Sequence, residues 1–189
     1  MCDLFSDVRD CPALPNKTAA EAKLALKTFA GKIKVDRFFS DRSKELKKAA
    51  RELGWVHDRS TPHRPEAHGL IEVRVRQPEQ ATICNLYQSK FPHQWWSVAI
   101  RHACMARNIS KRNADGKTPW ELMKGEPFKG KDEPFGSLCK YRLNTEDRKS
   151  ELKLDVPTSD GVFLGWDLQS GMTWRGDYLI VDLGDLIKG

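Results

Sequence analysis

Along residues 19–30 apolar positions recur every three to four residues. Ala22, Leu26 and Phe29 share a face while Lys23 and Lys27 lie outside it, and Thr18 and Gly31 supply a start and a stop, so the pattern predicts an amphipathic helix. Even spacing of Ile33, Val35 and Phe39 then predicts a strand over 33–41. A second helix follows, with Ser43 as cap, Leu46, Ala49, Ala50 and Leu53 as its stripe and Gly54 as its stop. Residues 55–58 form a short strand, and 60–69, with two prolines and a glycine, form a loop. Beyond Gly69 the spacing of Leu70, Val73, Val75, Ala81, Cys84, Leu86 and Tyr87 is helical, and Pro78 is expected to kink or split that helix. Another helix runs from about Pro92 to Asn108, with Trp95 and Trp96 as core anchors.

Residues 109–136, rich in Gly, Pro and Lys, read as a linker with one helical turn at Pro119–Met123. The period then changes to short apolar runs at 137–143, 161–168 and 177–183, separated by turn residues, which predicts a small β-unit packed by Trp166 and Trp174. Residues 2–14 read as an extended segment closed by Pro12 and Pro15. The order places an α/β layer ahead of an all-β appendage: 1–108, a linker at 109–136, and 137–189.

Charge adds a partner class. Residues 1–140 carry 26 basic and 17 acidic side chains, a balance of +9, whereas 141–189 carry 6 and 9, a balance of −3. A basic body suits a polyanion, because neutralising phosphates releases counterions. No apolar run approaches the length of a spanning helix, and the N-terminus lacks the pattern of a signal peptide. Five scattered cysteines without metal-ligand spacing read as reduced thiols, as in a nuclear or cytoplasmic protein.

Two carboxylates stand where α/β folds build sites. Asp41 ends a predicted strand and Glu72 opens a predicted helix after a loop. Such a pair suits Mg²⁺, which takes oxygen ligands and shares them with substrate phosphates. Two-metal phosphoryl transfer needs a further bridging carboxylate. The alternative is a solvated Asp and a helix-starting Glu, since the chain has 26 acidic residues from which a pair is easily drawn.

The run FFSDRSKELKKAARELGWVHDRSTPHRPEAHGLIEVRVR at 38–76 resembles the second half of the integrase core of copia-type retrotransposons. That family has a strand ending in Ser-Asp-Asn-Gly, a helix, a Leu-Gly-x-x-His strand, a Pro-rich loop and an Asn-Gly-x-x-Glu-Arg helix start. The likeness continues through LYQSKFPHQWWSVAIRHACMARN at 86–108 and DGKTPWELMKGEPFKGKDEPFGSLCKYR at 115–142. It extends to KLDVPTSDGVFLGWDLQSGMTWRGDYLIVDL at 153–183, which is similar to the SH3-like β-module that follows the core. The resemblance implies a ribonuclease H-like core and an SH3-like C-terminal module. It implies Mg²⁺- or Mn²⁺-dependent joining of element DNA to target DNA, with Asp41 and Glu72 on two of three catalytic carboxylate positions.

There are departures. Arg42-Ser43 replaces Asn-Gly, Glu66-Ala67-His68-Gly69 replaces Gln-x-Asn-Gly, and Val73 replaces Arg. Residues 3–22 resemble the family's second core strand, so Asp3 reads as a structural residue and the first catalytic Asp is expected to lie ahead of Met1. Asp3 or Asp7 substituting for it is the alternative.

Arg64, Arg74 and Arg76 flank the expected site and are candidate phosphate contacts, or else a solvated basic face. His57, His63 and His68 read as surface and loop residues. The readings in play are an integrase-like protein impaired by loss of one carboxylate, a non-catalytic nucleic-acid-binding or interaction module derived from one, and an unrelated basic α/β scaffold. An exposed sheet edge would also favour homo-oligomers.

Overall fold

The computed structural model describes residues 1–41, 43–59, 65–142 and 158–188, with the side chains of all these but 59 and 65–71. Thr18 accepts a hydrogen bond from Glu21 N at 3.3 Å and opens α1 (Ala19–Ala30), whose Ala22, Leu26 and Ala30 are buried. Ser43 caps α2 (Lys44–Leu53) through Leu46 N at 3.2 Å, and Gly54 ends it in the left-handed conformation at φ +72°. Ala49 and Ala50 are fully buried, and such small side chains let the two helices approach closely. Between them, β1 (Arg37–Ser40) pairs in parallel with β2 (Val56–Arg59), Phe38 opposite His57. Phe38, Leu46, Leu53 and Trp55 close this core, with the Phe38 and Trp55 ring centroids 5.9 Å apart. The strand begins later than its alternation suggests: Ile33 and Val35 precede it, and Ile33 is exposed.

The helix expected from Gly69 starts earlier. α3 (Pro65–Ser89) runs as one element through Pro78, correcting the expected split. A proline inside a helix removes one main-chain bond and crowds the preceding turn. Here Thr82 Oγ1 donates to Pro78 O at 2.7 Å, both residues are buried, and α3 packs along α4 (Trp96–Ser110). A turn of 3₁₀ helix at His93–Trp95 leads into α4. Trp95 packs edge-on against Phe91 with centroids 5.1 Å apart, but Trp96 is half exposed and is no core anchor.

The predicted turn at 119–123 is α5 (Pro119–Lys124). Its capping box has Thr118 Oγ1 accepting from Glu121 N at 3.1 Å and Glu121 Oε2 accepting from Thr118 N at 2.6 Å. The β-unit is an antiparallel sheet in the order β3 (Leu138–Arg142), β4 (Thr158–Gln169), β5 (Thr173–Asp182), followed by α6 (Leu183–Lys188). Residues 161–166 of β4 are all buried: Phe163 and Trp166 cluster with Met105 and Trp120, and Leu164 with Ala99 and Phe135. Met105, Trp120, Phe163 and Trp166 form one apolar cluster drawn from α4, α5 and β4, so the sheet shares its core with the helices. Gly31 and Gly171 lock the far side: Gly171 N donates to Thr28 O at 2.7 Å, and a Cβ on Gly31 would lie 2.5 Å from Gly171 Cα.

Candidate functional site

Asp41 directly follows β1 and is exposed. Its Oδ1 accepts from Ser43 N at 3.0 Å, so the carboxylate helps the chain turn from strand to helix. Ser40 Oγ donates to Asp41 O at 3.0 Å and lies 2.8 Å from His57 Nε2. With the hydroxyl proton directed at Asp41 O, that second contact needs His57 Nε2–H as donor. His57 also lies against Phe38, centroids 5.5 Å apart, and is a half-buried structural group rather than a surface histidine. His63, His68 and Arg64 lie outside the residues or side chains described.

Glu72 is exposed on α3. Asp41 thus belongs to the β1–β2 pair and Glu72 to the helix that packs on α4. Among the described residues no three His, Cys, Asp or Glu side chains gather as a metal site. The Mg²⁺ implied by the sequence likeness therefore finds no complete ligand set among them.

The candidate arginines part company. Arg76, one turn beyond Glu72, is exposed. Arg74 is turned inward, its Nε 3.5 Å from Asp7 Oδ1. Asp7 also receives Arg9 Nη2 at 3.3 Å and the Nη2 of Arg107, while Arg107 Nη1 donates to Asp7 O at 3.0 Å. Three guanidiniums thus surround one carboxylate. Burial raises the Asp7 pKa, but the hydrogen bond and charge of Arg107 and the charge of Arg9 outweigh it and hold the group below its ordinary value. Arg9 is only 4% exposed, and Gln77 Oε1 accepts its Nη1 at 2.8 Å.

The segment expected to be extended is instead a tight reversal. Asp7 takes the left-handed conformation at φ +59°, Asp3 accepts from Ser6 N at 3.0 Å, and Cys2 bridges Arg9. Asp3 thus acts as a turn-former. Arg9, Arg107 and Asn108 were invisible as a set in the sequence, where they stand about a hundred residues apart; the only signal was the Arg-Asn ending of the second motif segment.

No protein-family model matches the sequence, and no curated protein matches it significantly. Solved structures do. The catalytic core domain of BIV integrase aligns at 19% identity with a TM-score of 0.50, over 64% of this chain and 80% of that one. A chain in the cryo-EM structure of the simian T-cell lymphotropic virus intasome in complex with PP2A regulatory subunit B56 gamma aligns at 16% identity with a TM-score of 0.52, over 94% of this chain and 70% of that one. The chain therefore has an α/β fold similar to retroviral integrase catalytic cores. No helix among the described residues is long and apolar enough to cross a membrane.

Proposed function

We propose that this is an integrase-like protein of copia-type retrotransposon descent that binds duplex DNA but, as these 189 residues, does not join it. The observation that carries the reading is the fold likeness to integrase cores, which agrees with the family motifs across residues 38–183. Residues 1–108 are taken as the partial ribonuclease H-like core, 109–136 as the linker and 137–189 as the SH3-like module, in a protein working in the nucleus or cytoplasm.

DNA would meet the basic body through exposed cations such as Arg76, with Arg64 a further candidate. Arg74 would act indirectly, by fixing the N-terminal reversal through Asp7. Asp41 and Glu72 are the two positions matching the family's carboxylates. When present, Mg²⁺ or Mn²⁺ would activate the attacking oxygen and stabilise the leaving one, and a two-ion site uses a bridging ligand beyond such a pair.

A non-catalytic module is the second reading. It is favoured by the engagement of Asp7 with three arginines, which makes this alternative carboxylate a structural group. An oligonucleotide joining assay with Mg²⁺ and with Mn²⁺ tests both. The expected result is salt-sensitive binding without joined product. Joining that disappears in Asp41→Asn would establish an active enzyme with a third ligand supplied from elsewhere.

A further inference from the structure

A cavity of about 260 Å³ lies between α3 and the C-terminal half of α4. Its lining divides by chemistry: Pro78, Ala81 and Ala103 are small or apolar, while Gln77, Arg107 and Lys111 carry hydrogen-bond donors. Positions 103, 107 and 111 follow one another at steps of four, which sets them along one face of α4 and its end.

The donors there are underused. Gln77 Oε1 accepts Arg9 Nη1 at 2.8 Å, and Gln77 Nε2 has no partner among the described residues. Lys111 is exposed and forms no ion pair among them. Arg107 uses Nη1 and Nη2 on Asp7, but its Nε is buried without a hydrogen-bond partner, and so is the Nε of Arg9. Buried donors left unpaired on a cation are costly, and an anion relieves them.

Charge is unbalanced as well. Arg9, Arg74 and Arg107 meet the single carboxylate of Asp7. Lys111 adds a fourth cation, and Asp3, which bonds Ser6, adds the reversal's second anion; Asp10 is matched by Arg101. Four positive groups against two negative ones leave two charges unneutralised. The end of α4 opposes an anion, but its partial charge is only about half a unit.

We propose that this cavity is an anion site for a phosphomonoester, with Lys111, Arg107 and Gln77 as its donors. A phosphomonoester carries close to two negative charges and offers three acceptor oxygens, which matches both the charge and the three donors. A carboxylate supplies one charge and two oxygens, and so meets only part of either. The apolar wall of Pro78, Ala81 and Ala103 reduces screening of the pairing by salt. The phosphate is either a free one or the terminal phosphate of a nucleic-acid strand. The site goes beyond the duplex-binding reading, which needs only exposed cations and the internal phosphates of DNA.

The test is a calorimetric titration of the full chain with inorganic phosphate, in a buffer without other oxyanions. Saturable binding at one site is expected, with a thermal midpoint that rises with phosphate concentration. Lys111→Ala, at an exposed position, should weaken binding about tenfold, the worth of one charge-assisted hydrogen bond. Lys188→Ala removes the same charge on α6 and should leave the affinity unchanged. Arg107→Ala could disturb folding through Asp7, so Gln77→Glu serves as the second variant: it keeps an acceptor for Arg9, removes the amide donor and should weaken phosphate binding. Duplexes with and without a 5′ phosphate then separate the sources. Tighter binding of the phosphorylated duplex, lost in Lys111→Ala, assigns the site to strand ends; equal binding assigns it to free phosphate. No saturable phosphate binding, or equal losses in Lys111→Ala and Lys188→Ala, would overturn the proposal. Failure with phosphate while unphosphorylated duplex still binds removes this site alone, and phosphate binding without duplex binding removes the duplex reading alone.

Discussion

Asn108, fully buried in α4, holds the backbone of Arg9 from both sides, accepting its N–H at 2.9 Å and donating to its carbonyl at 2.7 Å. A single side chain thus takes the place of a β-strand neighbour and fixes the N-terminal reversal that carries Asp7. Asn108→Ala removes both bonds and leaves two buried main-chain groups unpaired. Each such loss costs roughly 1–3 kcal/mol, so the urea unfolding midpoint should fall by the equivalent of about 2–6 kcal/mol. An unchanged midpoint would mean that the segment is not held this way.

His102 predicts acid sensitivity. It is buried, its Nε2 faces Glu133 O at 3.0 Å and its Nδ1 faces Asn85 Nδ2 at 3.2 Å, an arrangement that suits the neutral ring with the proton on Nε2. Burial lowers its pKa, opposed by the Glu133 carbonyl and the charge of Asp132. Below the unfolded-state value of about 6.5 the unfolded chain binds a proton that the folded one resists, so stability declines as pH falls through that value towards the lower folded one. Urea titrations at neutral and mildly acidic pH should show this decline, and His102→Gln should flatten it. An identical slope in the variant would assign the effect to other groups.

Asp7 contributes at lower pH. Its depressed folded pKa makes its stabilisation present above the ordinary carboxylate range and lost as pH falls through the folded value. Asp7→Asn should therefore destabilise the chain at neutral pH, leaving Arg9, Arg74 and Arg107 without their shared carboxylate, and the difference from the unsubstituted chain should narrow in acid. A difference independent of pH would contradict the ion-pair account.

Gly31→Ala tests the contact between α1 and the β4–β5 turn. The position has φ +59°, and the added Cβ would stand 2.5 Å from Gly171 Cα. Both the backbone conformation and the close approach oppose the change. The expected loss is more than about 1 kcal/mol, read as a lower thermal midpoint. A neutral outcome would show that the contact is not tightly closed.

The locally encoded parts of this fold were legible. Thr18, Ser43 and Gly54 end their helices within hydrogen-bonding reach along the chain, and the apolar runs at 137–143, 161–168 and 177–183 fall on the three strands. What failed depended on packing. Pro78 is kept helical by its burial near α4, which no local rule contains, and Trp96 lies on the exposed side of a helix whose buried face is set by β4. Of the candidate site only the local placement of its residues along the chain was legible. Asp41 and Glu72 do follow a strand and sit on the next long helix, but Arg74 could not be recognised as the partner of Asp7, because that pairing depends on a reversal 67 residues earlier in the chain.

Binding of duplex DNA across a salt series tests the central claim most directly. Fluorescence anisotropy of a labelled oligonucleotide with the full chain should show affinity falling linearly on log–log axes, with a slope of about −0.9 for each phosphate neutralised. Arg76→Ala should reduce that slope by about one such step, whereas a sequence change in the DNA should leave the affinity unchanged. No binding at low salt, or an affinity indifferent to salt, would contradict the account.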